Sequence, residues 1–202
     1  GKTKTLVYRV ARLIHDGVNP ANILLLTFTR KSSQEMLRRA ADVLDARCKK
    51  VMGGTFHSFC NMILHRYVHL LPYPNGFTIM DRGDAESLMA LIRKEGDYHK
   101  KDKRFPKKGT LLDIVSKAIN TNHSIAHVVL EQFPHFSDLS DDIVAVAETY
   151  AKKKLLLGLM DYDDLLVKTT ELLSDHSDVR ETLSRQYGHI MVDEFQDTNF
   201  IQ

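Results

Sequence analysis

Two short runs hold the residues best suited to chemistry. Gly1-Lys2-Thr3 stands before an apolar-periodic stretch, and Asp193-Glu194 closes a short apolar one. A glycine, a flexible ammonium and a hydroxyl opening a helix match the final part of the phosphate-binding pattern G-x-x-x-x-G-K-[ST]. Such a site needs backbone N–H groups at a helix N-terminus, a cation for the β/γ oxygens and a hydroxyl for Mg²⁺. Lys2 and Thr3 suit the last two roles, although three residues alone recur by chance. The run His189-Ile190-Met191-Val192 delivers two adjacent carboxylates at its end. One could hold Mg²⁺ through water while the other orients or deprotonates an attacking water. The plainer alternative makes Asp193 a turn cap. Together the two runs favour a nucleoside-triphosphate site.

These groups need a frame. Lys2 to Asp16 places apolar residues at Leu6, Val7, Val10, Ala11, Leu13 and Ile14, a helical period ended by Gly17 and turned by Asn19-Pro20. Ile23 to Thr27 suits a strand buried on both faces of a parallel sheet. A helix from about Ser32 to Leu44, a strand around Val51 to Phe56 and a helix from Ser58 to Leu71 follow, which is α/β grammar. From residue 72 to 159 the pattern is mostly helical: Asp84–Lys94, Thr110–Thr121, Ser124–Phe133 and Asp141–Leu157, with Phe77 to Met80 the one strand candidate. Thr110 with Asp113 resembles a capping box. Helices at Asp161–Leu173 and Val179–Tyr187 and a strand at His189–Val192 resume the α/β pattern. We therefore expect an α/β parallel sheet in two parts, 1–71 and 160–202, interrupted by an all-helical subdomain at 72–159.

Asp193-Glu194-Phe195-Gln196-Asp197-Thr198-Asn199 resembles motif II of the UvrD/Rep/PcrA family of superfamily 1 DNA helicases. Leu26-Thr27-Phe28-Thr29-Arg30-Lys31-Ser32-Ser33-Gln34-Glu35-Met36 is similar to that family's T-F-T-N-K-A-A-x-E-M segment. Gly54-Thr55-Phe56-His57-Ser58 matches its G-T-F-H-S, and Asp161-Tyr162-Asp163-Asp164-Leu165-Leu166 its D-F-D-D-L-L. The blocks stand in family order across the whole chain.

The resemblance implies a RecA-like P-loop lobe with an inserted accessory subdomain, using ATP and Mg²⁺ to move 3′→5′ along single-stranded DNA and open duplex junctions. Gly1, Lys2 and Thr3 would contact the triphosphate, Thr3 and Asp193 the metal, and Glu194 would be the base. Lys4 stands where the family often has an arginine near the adenine. Phe28, Arg30, Thr55, Phe56 and His57 fall in segments lining the DNA strand, with Tyr162 close to it. Phe28 could instead be a core phenylalanine, and His57 a buried histidine bonded to backbone. Arg30 departs from the family's asparagine and would add a phosphate contact. A second RecA-like lobe is implied as partner. The competing readings are a helicase-like DNA scaffold without catalysis and the helicase lobe of a RecB- or AddA-like helicase–nuclease.

Composition sets outer limits. The 202 residues are 43% hydrophobic and 27% charged, a globular balance. No apolar run approaches the ~18 residues of a membrane span. No signal peptide is legible, and two cysteines make no disulfide framework, so a cytoplasmic setting is expected. The net charge of +2 is too small to announce nucleic-acid binding, which must come from local patches. One such patch is Tyr98–Lys108, with six Lys or Arg against Asp102. His65 and His69, with Cys60 nearby, have metal-ligand spacing but no completing cluster. Asp161, Asp163 and Asp164 suit a helix start, where carboxylates favour the dipole. The chain opens without a methionine and stops without a cap, so both ends read as cut from something longer.

Overall fold

The computed structural model describes residues 1–73, 76–98 and 104–202. They fall into two compact units, one of residues 1–63, 169–198 and 202, the other of residues 64–168 and 199–201.

The first unit is built on a three-stranded parallel sheet in the order β2–β1–β5, with β1 at Ile23–Thr27, β2 at Met52–Thr55 and β5 at His189–Val192. All five residues of β1 are buried, as expected of a central parallel strand. Ile23 pairs with His189 and Leu24 with Met52, so the three C-terminal ends lie side by side. The Asp193 N–H extends the ladder to the Leu26 carbonyl at 2.9 Å. Helix α1 (Lys2–His15) and helix α2 (Arg30–Val43) pack Val7, Val10, Leu13, Ile14, Met36 and Ala40 on Ile23 and Leu25. Gly17, at φ 94°, lets the chain leave α1. Thr29 caps α2 by accepting from the Ser32 N–H at 3.1 Å. Gly53 permits a close approach: a Cβ there would lie 2.5 Å from Ser33 Oγ and 2.7 Å from Leu37 Cδ1. Helix α3 runs Phe56–Arg66, starting two residues before the expected Ser58.

The second unit contains helices α4 (Arg82–Glu95), α5 (Lys108–Thr121), α6 (Ile125–Gln132) and α7 (Ser140–Leu156). Their core is formed by Leu88, Met89, Ile92, Leu111, Ile114, Val128, Val129, Ile143, Val146 and Tyr150. It is not wholly helical. β3 (Thr78–Ile79) pairs in parallel with β4 (Leu159–Met160), a strand too short to announce itself by periodicity. The expected Thr110–Asp113 capping box is absent, because α5 begins earlier, at Lys108, and Asp113 instead accepts from Arg82 Nη2 at 2.7 Å. A capping box does form at α4, between Asp81 and Asp84. Helix α8 (Tyr162–Asp175) follows β4, its residues from 169 on belonging to the first unit, as does all of α9 (Ser177–Gln186). Lys100, Lys101, Asp102 and Lys103 of the basic stretch lie outside the described residues. Its aromatics stack on each other, Tyr98 on Phe105 at 5.0 Å, with Phe105 in the core. Among the described residues, no helix is long and apolar enough to cross a membrane.

Candidate functional site

In open α/β sheets, ligands bind where the C-terminal ends of the strands meet helix N-termini. Here that edge carries Phe28 and Thr29 after β1, Thr55 and Phe56 at the close of β2, and Asp193 and Glu194 after β5.

Lys2 opens α1, whose cap residue is Gly1 and whose first turn holds no acid and receives no side-chain cap. Its leading N–H groups are left for an outside acceptor. Lys2 and Glu194 stand at opposite ends of the sequence, yet Lys2 Nζ lies 3.1 Å from Glu194 Oε2. Gln196 Nε2 donates to the same Glu194 oxygen and to Asp197 Oδ2. The hydrogen bond from Gln196, then the bond and charge of Lys2, hold the Glu194 carboxyl below its ordinary pKa. Glu194 adopts φ 51° and ψ 42°, a left-handed conformation costly for a side-chain-bearing residue. Its neighbour Asp193 is buried, and Asp193 Oδ1 has no hydrogen-bond partner. An orphaned carboxylate oxygen is expensive unless something outside the chain satisfies it. It suits a hard cation, and Mg²⁺ characteristically takes one or two carboxylates with the remaining positions filled by phosphate and water. Among the described residues, no three His, Cys, Asp or Glu gather into a metal cluster. Thr3 is half-buried and Lys4 exposed, with Lys4 Nζ 5.6 Å from the Tyr8 ring centre.

The aromatic candidates differ in exposure. Phe28 is 43% exposed, and its ring lies 6.4 Å from that of Phe56, tilted by 56°. Phe56 is buried. Thr55 caps α3: its Oγ1 accepts from the Ser58 N–H at 3.1 Å, and its own N–H donates to Ser58 Oγ at 2.9 Å. His57 is half-buried. Arg30 and Lys31 are exposed in the first turn of α2, which contains no acid. Two cations at the positive end of a helix dipole are mutually unfavourable and draw an anion.

Tyr162 belongs to the second unit and is 55% exposed at the start of α8. With Arg82, Ser116, Tyr150 and Asp163 it edges a cavity of about 180 Å³. Asp161 and Asp164 cap this helix reciprocally, at 2.9 and 3.0 Å. Nothing in the residue pattern marks Lys154 as buried between them, its Nζ 2.6 Å from each carboxylate. Tyr150 completes the group by donating its hydroxyl to Asp161 Oδ2 at 2.9 Å. Burial pushes the Asp161 carboxyl up, but Lys154 outweighs it and leaves the group below its ordinary range. For Asp164 burial and the charge of Asp161 prevail, and the pKa is raised. His65, whose spacing from His69 lacked a completing cluster, is exposed and stacks on Phe77 at 4.4 Å. Cys60 is buried, which raises its thiol pKa and keeps it protonated.

Gln196 and Asn120 also escaped the sequence reading. Gln196 sits inside the quoted motif and faces Glu194 only because residues 195–197 form a 3₁₀ turn. Asn120 lies near the end of α5, where nothing in the sequence marks it. Its Nδ2 donates to Asp163 Oδ1 at 2.9 Å.

The UvrD/REP helicase N-terminal domain family model matches residues 1–202. The chain is 32% identical to the ATP-dependent DNA helicase PcrA of Bacillus subtilis (strain 168), over all of this chain and 27% of the relative. It is 34% identical to a probable DNA helicase II homolog of Rickettsia conorii and 32% to one of Mycoplasma genitalium, again over its whole length and over 30% and 29% of theirs. The chain thus spans less than a third of the length of these curated relatives. A match from the first residue to the last, with the paired ends of α1 and β5 that the structure displays, establishes that this chain belongs to the UvrD/REP helicase N-terminal domain family.

Proposed function

We propose that this chain supplies the nucleotide-binding part of an ATP-dependent DNA helicase that moves 3′→5′ along single-stranded DNA. In this reading the first unit is the core of a RecA-like P-loop lobe. The second corresponds to the inserted accessory subdomain, expected at 72–159 between lobe segments 1–71 and 160–202. The observation that carries the reading is the buried, unpartnered Asp193 Oδ1 beside a Glu194 already paired with Lys2. The names of the relatives support the same activity; single-stranded DNA and its junctions with duplex are the substrate we assign, in a cytoplasmic setting.

The chemistry follows from the residues. Thr3 and Asp193 would hold Mg²⁺, which when bound neutralises charge on the β and γ oxygens. Gly1 and the first N–H groups of α1 meet phosphate oxygens, and Lys4 faces the base. Lys2 exchanges Glu194 for the γ-phosphate, and that exchange frees the carboxylate. Glu194 then takes a proton from the attacking water as the new oxygen–phosphorus bond forms and the bond to the β-phosphate oxygen breaks. Phe28 stacks on a nucleobase, which is sequence-tolerant and worth roughly 1–3 kcal/mol per base. Phe56 supports that ring from the core, while Arg30, Thr55, His57 and, on the second unit, Tyr162 meet the strand. A second RecA-like lobe, supplying an arginine across the ATP, would add a factor of about 10³–10⁵ in rate.

The test is ATP hydrolysis by the full-length protein, with and without single-stranded DNA, beside a Lys2→Ala variant. Stimulation by DNA that the variant abolishes is the expected result. DNA binding with no turnover in either protein would sink the motor and leave a DNA-binding scaffold. Unwinding of 3′-tailed but not 5′-tailed duplex checks the direction.

A further inference from the structure

Tyr162 stands between two anchored carboxylates. Asp161 is fixed by Lys154 and Tyr150, and Asp163 by Asn120. The second anchor is shared. Asn120 spends its Nδ2 on Asp163 Oδ1 and on Ser116, at 2.8 Å to the carbonyl and 3.1 Å to Oγ. Its Oδ1 accepts from Asn199 Nδ2, and its backbone carbonyl accepts from the Phe200 N–H at 3.3 Å. One carboxamide therefore ties the start of α8 to the segment just past Asp193-Glu194 in the chain.

The fold does not need this arrangement. A carboxylate in the first turn of a helix is already favoured by the dipole, and Asp163 keeps partial access to water. A half-buried position at the end of α5 could be filled by many residues. Bonding with both ends of the amide, donor to Asp163 and acceptor from Asn199, specifies where Tyr162 stands relative to residue 199. Asn199 in turn is five residues along the chain from Glu194.

We propose that Asn120 is a positioning residue that couples the motif around Glu194 to DNA contact at Tyr162, so that strand binding and ATP turnover report to each other through the Asn199–Asn120–Asp163 hydrogen bonds. The inference rests on the motor reading above. It requires that Asn120 touch neither ATP nor DNA and that its loss separate the two activities instead of lowering both.

The experiment uses the full-length protein and measures ATP turnover without DNA and across a titration of oligo-dT. Asn120→Asp retains the acceptor for Asn199 but sets a carboxylate against Asp163. Stimulation by oligo-dT should fall by roughly three- to thirtyfold, the range of single-residue effects on coupling. Turnover without DNA and the ATP concentration for half-maximal rate should stay within about twofold, since the site chemistry is untouched. Adding Asp163→Asn to the same chain restores a donor opposite the new carboxylate and should recover stimulation. Wild-type stimulation in Asn120→Asp, a parallel fall of DNA-free turnover, or no recovery in the double variant would each overturn the proposal. Should Asn120→Asp not fold by circular dichroism, Asn120→Ala removes the bonds without adding charge, and full stimulation in that variant overturns it equally. A wild-type protein with no DNA-stimulated turnover refutes the motor reading itself, and this inference with it.

Discussion

Lys154 sets one ammonium between the two carboxyl groups of Asp161 and Asp164 within the second unit, with the lysine side chain only 5% exposed. Two carboxylates share a single ammonium, which is why one pKa lies below its ordinary value and the other above. Removing the cation leaves two like charges facing each other where water is scarce. Lys154→Met should therefore destabilise the protein by about 3–5 kcal/mol, read as a lowered urea midpoint. The pH dependence distinguishes this from lost packing. Without Lys154, burial and mutual repulsion raise both folded pKa values above the unfolded ones, so the folded state binds protons more tightly. The defect should then shrink as pH falls from about 7 to about 5, as the carboxylates become protonated. A deficit of constant size across that range would assign the effect to packing. In Lys152-Lys153-Lys154 nothing in the residue types tells the third from the others; only the fold turns it inward.

At the level of elements, β1 was legible because a run of five buried residues has one natural place, the middle of a parallel sheet. The helices of the first unit showed their apolar periods, and β5 its run into two acids. β3 falls within the expected strand Phe77 to Met80, but its partner β4 was illegible, since a two-residue strand contains a single alternation and Leu159–Met160 follows closely on a leucine-rich helix end. The misplaced start of α5 has a different cause. Its cap position, Lys107, offers no side-chain acceptor, so the usual residue signal was missing. As for the site, both of its halves could be named from the sequence, but their meeting through Lys2 and Glu194 depends on a sheet closed by distant strands. The contact between β2 and α2 yields a prediction of its own. Gly53→Ala would force its methyl against Ser33 Oγ and Leu37. Overpacking of this kind costs typically 1–3 kcal/mol, and an unchanged thermal midpoint would show that α2 can yield.

Across the whole molecule the net charge of +2 gives little long-range attraction for a polyanion. On the function proposed above, affinity for DNA rests on a few placed cations, and the exposed Arg30 at the start of α2 is one we assign to that role. Each phosphate neutralised on a single strand contributes about 0.7 to the slope of log affinity against log salt. Arg30→Asn should flatten that slope by roughly this amount in oligo-dT titrations at several salt concentrations. An unchanged slope would remove Arg30 from the DNA contacts.

The pairing of Ile23 with His189 also has a consequence for how the protein is made. On the ribosome β1 emerges early and finds β2 soon after, but its other edge waits for β5, which the ribosome reaches only after the whole of residues 64–168. At about 5–20 residues per second this delay is on the order of ten seconds or more. During it an apolar strand with an unpaired edge is open to any passing chain. The second unit is encoded in between, apart from residues 199–201, and can collapse before β5 emerges. A ribosome stalled before His189 would leave a product with a nearly complete second unit and an unfinished, adhesive sheet, a natural client for chaperones and proteases.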